Sequence, residues 1–181
     1  MKSKLILSAL LLAVPAMVWA AELYTSPSGY QIKPAKSWRA LKSGVMKSDV
    51  AFVAPMTDGF SANMIVKTLP IEKNETLKAD KGIGNDIFPR MFKDYHLVSQ
   101  ETKPLDGVPA LWTVSTYRIL KPALSLRMRR VEAIKDGTVY WFTATEVDKD
   151  KTKSDQAITD MLGSIKWTTP ANPADAGDVS L

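Results

Sequence analysis

The stretch 108-VPALWTVSTYRILKPALSLRMRRVEAIKDGTVYWFTATEV-147 decides the fold. It holds three runs rich in β-branched and aromatic residues, separated by two breaks. Val108 to Leu120, carrying Trp112 and Tyr117, reads as one long strand, and Pro122 ends it because proline cannot continue a ladder. Leu124 to Ile134 reads as a second strand. Lys135-Asp136-Gly137 is a hairpin turn, and Thr138 to Val147, with Tyr140, Trp141 and Phe142, is a third strand. Three such runs joined by short turns make an antiparallel meander. Within the second run Leu124, Leu126 and Met128 share one parity, whereas Val131 and Ala133 take the other. A bulge near Arg129–Arg130 is the device expected to restore the register.

Upstream, Leu97 to Thr102 is a further strand, joined to the meander by the turn Pro104-Leu105-Asp106-Gly107. Before it, Ile87, Phe88, Met91, Phe92 and Tyr95 recur at helical spacing, with Asn85 or Asp86 placed to cap and Pro89 in the first turn, where its missing N–H costs nothing. Asn74 to Gly84 is polar and reads as a loop or a frayed turn. Ala62 to Leu69 alternates, with Ala62, Met64 and Val66 on one face, and Pro70 ends it. Val50 to Ala54 is a short strand. Leu23-Tyr24 and Tyr30-Ile32 flank the turn Ser26-Pro27-Ser28-Gly29. Downstream, Asp150 or Ser154 can cap a second helix whose stripe is Ile158, Met161, Leu162 and Ile165, with Gly163 at its end; Ile165 to Trp167 is a short closing strand. Strands and helices fall in separate blocks. The fold class is therefore α+β, an antiparallel β-sheet flanked by helices.

The first twenty residues, MKSKLILSALLLAVPAMVWA, pair a basic start (Lys2, Lys4) with an apolar run and small residues at Val18 and Ala20. This is a secretory signal peptide, cut between Ala20 and Ala21. The expected organisation is a signal peptide over 1–20, one domain over 21–168 and a disordered tail over 169–181, which is rich in Pro, Ala and Asp. The chain has no cysteine, which excludes disulfides, thiol catalysis and a lipid-bearing cysteine. The expected location is the periplasm, without lipid attachment or a transmembrane segment after cleavage. The formal net charge is +5.

Catalytic patterns are weak. The single histidine, His96, has no H-x-x-E or G-x-S-x-G companion and reads as an ordinary surface or half-buried residue. Glu146, Asp148 and Asp150 lack calcium-loop spacing and read as a polar strand end and helix cap. Gly82-Ile83-Gly84 lacks the preceding strand and the third glycine of a nucleotide cradle. Asn74-Glu75-Thr76 matches a glycosylation sequon, relevant only in a eukaryotic secretory route. Trp38, Trp112, Trp141 and Trp167 suit a core better than a ligand pocket, and the methionines are scattered. No metal, cofactor or nucleic-acid partner is expected. The basic residues Arg118, Lys121, Arg127, Arg129 and Arg130 stand out. On hairpin neighbours they gather at one end of the sheet, where guanidinium groups suit an anionic partner.

The segment Tyr24-Thr25-Ser26-Pro27-Ser28-Gly29-Tyr30-Gln31-Ile32-Lys33-Pro34-Ala35-Lys36-Ser37-Trp38 resembles the opening of PsbP-like and DcrB-like domains. Three residues separate Pro34 from Trp38 here, against two in the commonest pattern. Ala62-Asn63-Met64-Ile65-Val66 resembles the strand that comes next in those domains. The likeness spans roughly residues 23–168. It implies an antiparallel sheet flanked by helices and no catalytic constellation, since such domains serve as accessory, adaptor, chaperone or partner-binding proteins. The expected function is thus a non-enzymatic periplasmic accessory protein that binds an envelope or secreted protein, with toxin neutralisation as one form of that role. The alternative is a carrier of an apolar or lipid-like ligand.

Overall fold

A computed structural model describes residues 22–41, 44, 48–57, 59–71, 84–149 and 152–171, the side chains of 84–87 excepted. The expected signal segment, residues 74–83 of the expected loop with its sequon and Gly82, Asp150 and residues 172–181 lie outside this set.

Among the described residues, two antiparallel sheets and two helices make an α+β sandwich. The small sheet runs β1 (Tyr24–Ser26), β2 (Tyr30–Ile32) and β10 (Lys166–Trp167) in the order β1-β2-β10. The large sheet has seven strands in the order β3-β4-β5-β9-β8-β7-β6, from β3 (Arg39–Leu41), β4 (Val50–Val53), β5 (Asn63–Pro70), β6 (Lys93–Leu105), β7 (Val108–Leu120), β8 (Ala123–Lys135) and β9 (Thr138–Val147). Helix α1 spans Gly84–Met91 and α2 spans Lys153–Gly163. Two of the meander's hairpins turn on Asp106-Gly107 and Asp136-Gly137, all four residues at positive φ, as a tight two-residue hairpin demands.

The structure corrects the expected bulge in β8. Its pairing with β7 runs without a break from Ala133↔Ala110 to Ala123↔Leu120, and its pairing with β9 is equally regular. The switch of apolar parity is instead a switch of face. Val131 and Ala133 join Tyr140, Phe142, Ala144, Met64, Val66 and Phe52 in the main core, beneath Ile158, Met161 and Leu162 of α2 and Tyr30 and Ile32 of β2. Leu126 and Met128 join Tyr117 in a second cluster on the other face, packed by Phe88, Phe92 and Tyr95. The reason is length. A 13-residue strand extends about 44 Å and an 11-residue helix about 16 Å, so one helix cannot cover a whole strand. Each end of β8 is buried by a different layer.

The first helix is shorter than its apolar spacing suggests. It ends at Met91, and Tyr95 and His96 belong to β6, which begins with Lys93 paired to Arg118. A helix continued to Tyr95 forfeits these ladder bonds. The aromatic spacing still works, because Phe92 stacks on Tyr117 at 4.2 Å and Phe88 meets Tyr95 at 6.1 Å.

Helix α2 is capped by Thr152 rather than by Asp150 or Ser154, its hydroxyl accepting from the Asp155 N–H at 3.0 Å. Past β10 the chain stays on the fold. The Thr168 N–H donates to the Gly29 carbonyl and the Ala171 N–H to that of Pro27. Residues 169–171, placed by the sequence in the tail, therefore run along the β1–β2 turn.

Candidate functional site

The outer strands β6 and β7 extend beyond the edge of α2, and the space between forms an open cleft of about 440 Å³. Its floor is set by register. The turn at Asp106-Gly107 sets Leu105 against Val108, hence Lys103 against Ala110, Glu101 against Trp112 and Ser99 against Val114. Cross-strand partners share a face, so all these side chains lie on the face that carries α2. Thr159, Leu162 and Gly163 of α2 form the opposite wall.

Trp112 is half-buried in this floor. Its Nε1–H donates to the Lys103 carbonyl at 3.2 Å, and the Lys103 ammonium sits 4.4 Å from the ring centroid while pairing with Glu101 at 2.7 Å. The indole is thereby fixed in orientation, with its cation already matched.

Arg129 closes the inner end. Its guanidinium donates to Glu146 Oε1 at 2.8 Å, pairs with the Asp155 carboxylate, and reaches Thr159 Oγ1 at 2.9 Å. Glu146 is 1% exposed, and its other oxygen accepts from the Thr152 hydroxyl at 2.8 Å. This network ties the N-terminal turn of α2 to the sheet. It also neutralises Arg129, so the cleft offers an aromatic and aliphatic floor with matched charges around it.

The five basic residues singled out from the sequence do not form one patch. Arg127 and Arg129 share the α2 face, and Arg127 pairs with Asp148 at 2.8 Å. Arg130 points to the opposite face, buried 3.6 Å from Glu132 and 5.0 Å from the centroid of Phe88. Burial lowers the Arg130 guanidinium and raises the Glu132 carboxyl, while the attraction between them opposes both shifts. Only Arg118 and Lys121 are exposed, at the far end of the β7–β8 hairpin; Arg118 faces Asp94 at 3.5 Å. The expected gathering fails because adjacent strand residues alternate faces and because Arg127, Arg129 and Arg130 each take acidic partners within the chain, at Asp148, at Glu146 with Asp155, and at Glu132. The Trp112–Lys103 contact was missed, although counting back from the Asp-Gly turn sets Trp112 opposite Glu101 and Lys103 diagonal to it on the same face.

His96 lies exposed on β6, and among the described residues no group of three or more His, Asp or Glu is arranged to hold a metal. Of the four tryptophans among the described residues, Trp38 is buried in the main core and Trp112, Trp141 and Trp167 are half-buried.

No protein-family model matches the chain, and no curated protein matches it in sequence. Solved structures do match in fold. The cyanobacterial PsbP of Synechocystis superposes with a TM-score of 0.56 at 14% identity, covering 88% of this chain and 97% of that one. LpqN of Mycobacterium tuberculosis, described as involved in cell envelope biogenesis, superposes with a TM-score of 0.57 at 12% identity, covering 77% and 83%. A Pseudomonas aeruginosa protein of unknown function gives 0.50 at 12% identity, covering 63% and 78%. The two-faced seven-stranded sheet with its flanking helices is the PsbP-like fold.

Proposed function

We propose that this chain is a non-enzymatic accessory protein of the cell envelope, released into the periplasm by cleavage after Ala20, and that it binds another envelope or secreted protein in the cleft between α2 and β6–β7. The observation that carries this reading is the state of the cleft. An oriented indole lies on an open apolar floor, while the charges beside it are matched within the chain. Such a surface suits an extended segment that inserts an apolar side chain beside Trp112 and takes polar contacts from the rim. The alternative role, carriage of an apolar ligand, fits less well because the cleft is only partly enclosed and both cores are packed with side chains.

Gly163 provides a clean test. It lines the cleft, and a Cβ placed on it meets nothing within 4 Å. Gly163→Arg should therefore fill the cleft while leaving the fold intact. Capture of a defined envelope protein by the unmodified chain, lost in Gly163→Arg, supports the proposal. Equal capture by both rejects it, and a lipid retained by the purified protein and displaced by Gly163→Arg favours the carrier.

A further inference from the structure

The β7–β8 hairpin projects beyond its neighbours. β6 joins β7 only from Lys93↔Arg118, and β9 leaves β8 at Val147↔Leu126, whereas β7 and β8 stay paired out to Leu120↔Ala123. Two rungs, Ile119↔Leu124 and Leu120↔Ala123, thus stand about 7 Å beyond β6. The tip reads Ile119-Leu120-Lys121-Pro122-Ala123-Leu124. This is unusual within the same molecule, since the other two meander hairpins turn on the polar pair Asp-Gly. Leu120 is 62% exposed, and Met91, at the same end of the sheet, is 65% exposed. Both are large apolar side chains held in water.

The charges around the tip have one dominant sign. Among the described residues Arg90, Lys93, Arg118 and Lys121 are exposed here, against the exposed carboxylate of Asp94, while Asp148, whose N–H donates to the Ser125 carbonyl, is already paired with Arg127. An apolar finger ringed by cations matches the two components of an anionic lipid surface, whose headgroups attract the bases and whose acyl boundary accepts the leucine.

We infer that the β7–β8 tip is a peripheral docking site for an anionic lipid surface, with Leu120 entering the interface and Arg118 and Lys121 meeting the headgroups. This site lies at the end of the sheet and works independently of the cleft. It also gives Arg118 and Lys121 the anionic partner expected of them, without Arg129 or Arg130.

Co-sedimentation with vesicles tests it. The protein should bind phosphatidylcholine vesicles containing phosphatidylglycerol, bind less at higher salt, and ignore vesicles of phosphatidylcholine alone. Leu120→Asp and Lys121→Glu should each lower partitioning by about tenfold or more. Leu69→Asp, on an exposed leucine beside the opposite end of the sheet, should leave it unchanged. Circular dichroism confirms folding; if Leu120→Asp does not fold, Lys121→Glu in the exposed turn decides. No binding to anionic vesicles, equal binding to neutral ones, or full binding by a folded Lys121→Glu overturns the inference, as does a tip that crosslinks to a protein while vesicles stay unbound.

Discussion

Nη2 of Arg129 stands 2.8 Å from Oε1 of Glu146, although the two are seventeen positions apart in the chain and Glu146 is almost wholly enclosed. The pair joins β8 to β9 and, through Thr152, Asp155 and Thr159, to the first turn of α2. It therefore sets where α2 lies, and with it the width of the cleft.

Breaking that pair from one side leaves a buried charge without a partner. Glu146→Ala should cost about 3–5 kcal/mol in chemical denaturation. Glu146→Gln keeps an acceptor for Thr152 or Arg129 and should cost less. Similar small losses for both variants would show that α2 is held by its apolar stripe alone.

The pair on the other face makes stability depend on pH. Burial lifts the Glu132 carboxyl above its ordinary value of 4.5, and Arg130 opposes that shift. Between the ordinary and the raised value the folded chain keeps a proton that the unfolded chain has lost, so stability falls as pH rises through that window. Arg130→Met removes the opposing cation and widens the window upward. Its denaturation midpoint should decline from about pH 5 toward neutrality more steeply than that of the unmodified protein. Adding Glu132→Gln to Arg130→Met should flatten this dependence and recover stability. A flat profile for Arg130→Met alone contradicts the buried-pair reading.

The tryptophans should rank by burial. Trp38 is 5% exposed within the main core, so Trp38→Ala should cost about 3–5 kcal/mol. Trp112 packs one side on the core and faces the cleft with the other, so Trp112→Ala should cost clearly less. The reverse order, read from denaturant midpoints, would place Trp112 inside the core and remove it from the binding floor.

Two truncations mark where the fold ends. Thr168 and Ala171 bond to Gly29 and Pro27, and a Cβ on Gly29 would lie 2.8 Å from Pro170. Deleting 169–181 should lower Tm by several degrees. Deleting only 172–181, which has no apolar periodicity, should leave Tm nearly unchanged. Equal Tm values for both truncations would mean that residues 169–171 contribute nothing.

Much of the fold was legible in the sequence, for physical reasons. The period-2 runs and the turn residues Gly107, Pro122, Asp136 and Gly137 delimit β7 and β9 at the residues expected, because turn chemistry fixes a strand's ends. Two readings failed where local pattern leaves two solutions. Phe88, Phe92 and Tyr95 fit one helical face, yet a helix and a strand share the task. The parity change in β8 fits a bulge, yet the strand is regular and the covering layer changes. The site was less legible. Arg129 and Arg130 look alike in sequence, and only their partners, Glu146 and Asp155 for one and Glu132 and Phe88 for the other, show that their charges are paired on opposite faces of β8.

The central claim is that a partner's segment lies in the cleft, and a photo-crosslinking side chain at position 163 tests it most directly. From envelope extract, position 163 should yield one defined protein adduct, while the same probe at Leu69, away from the cleft, should not. The adduct from position 163 should fade when Val114→Arg crowds the floor. The absence of any protein adduct at 163, or identical adducts from 163 and 69, would contradict the account.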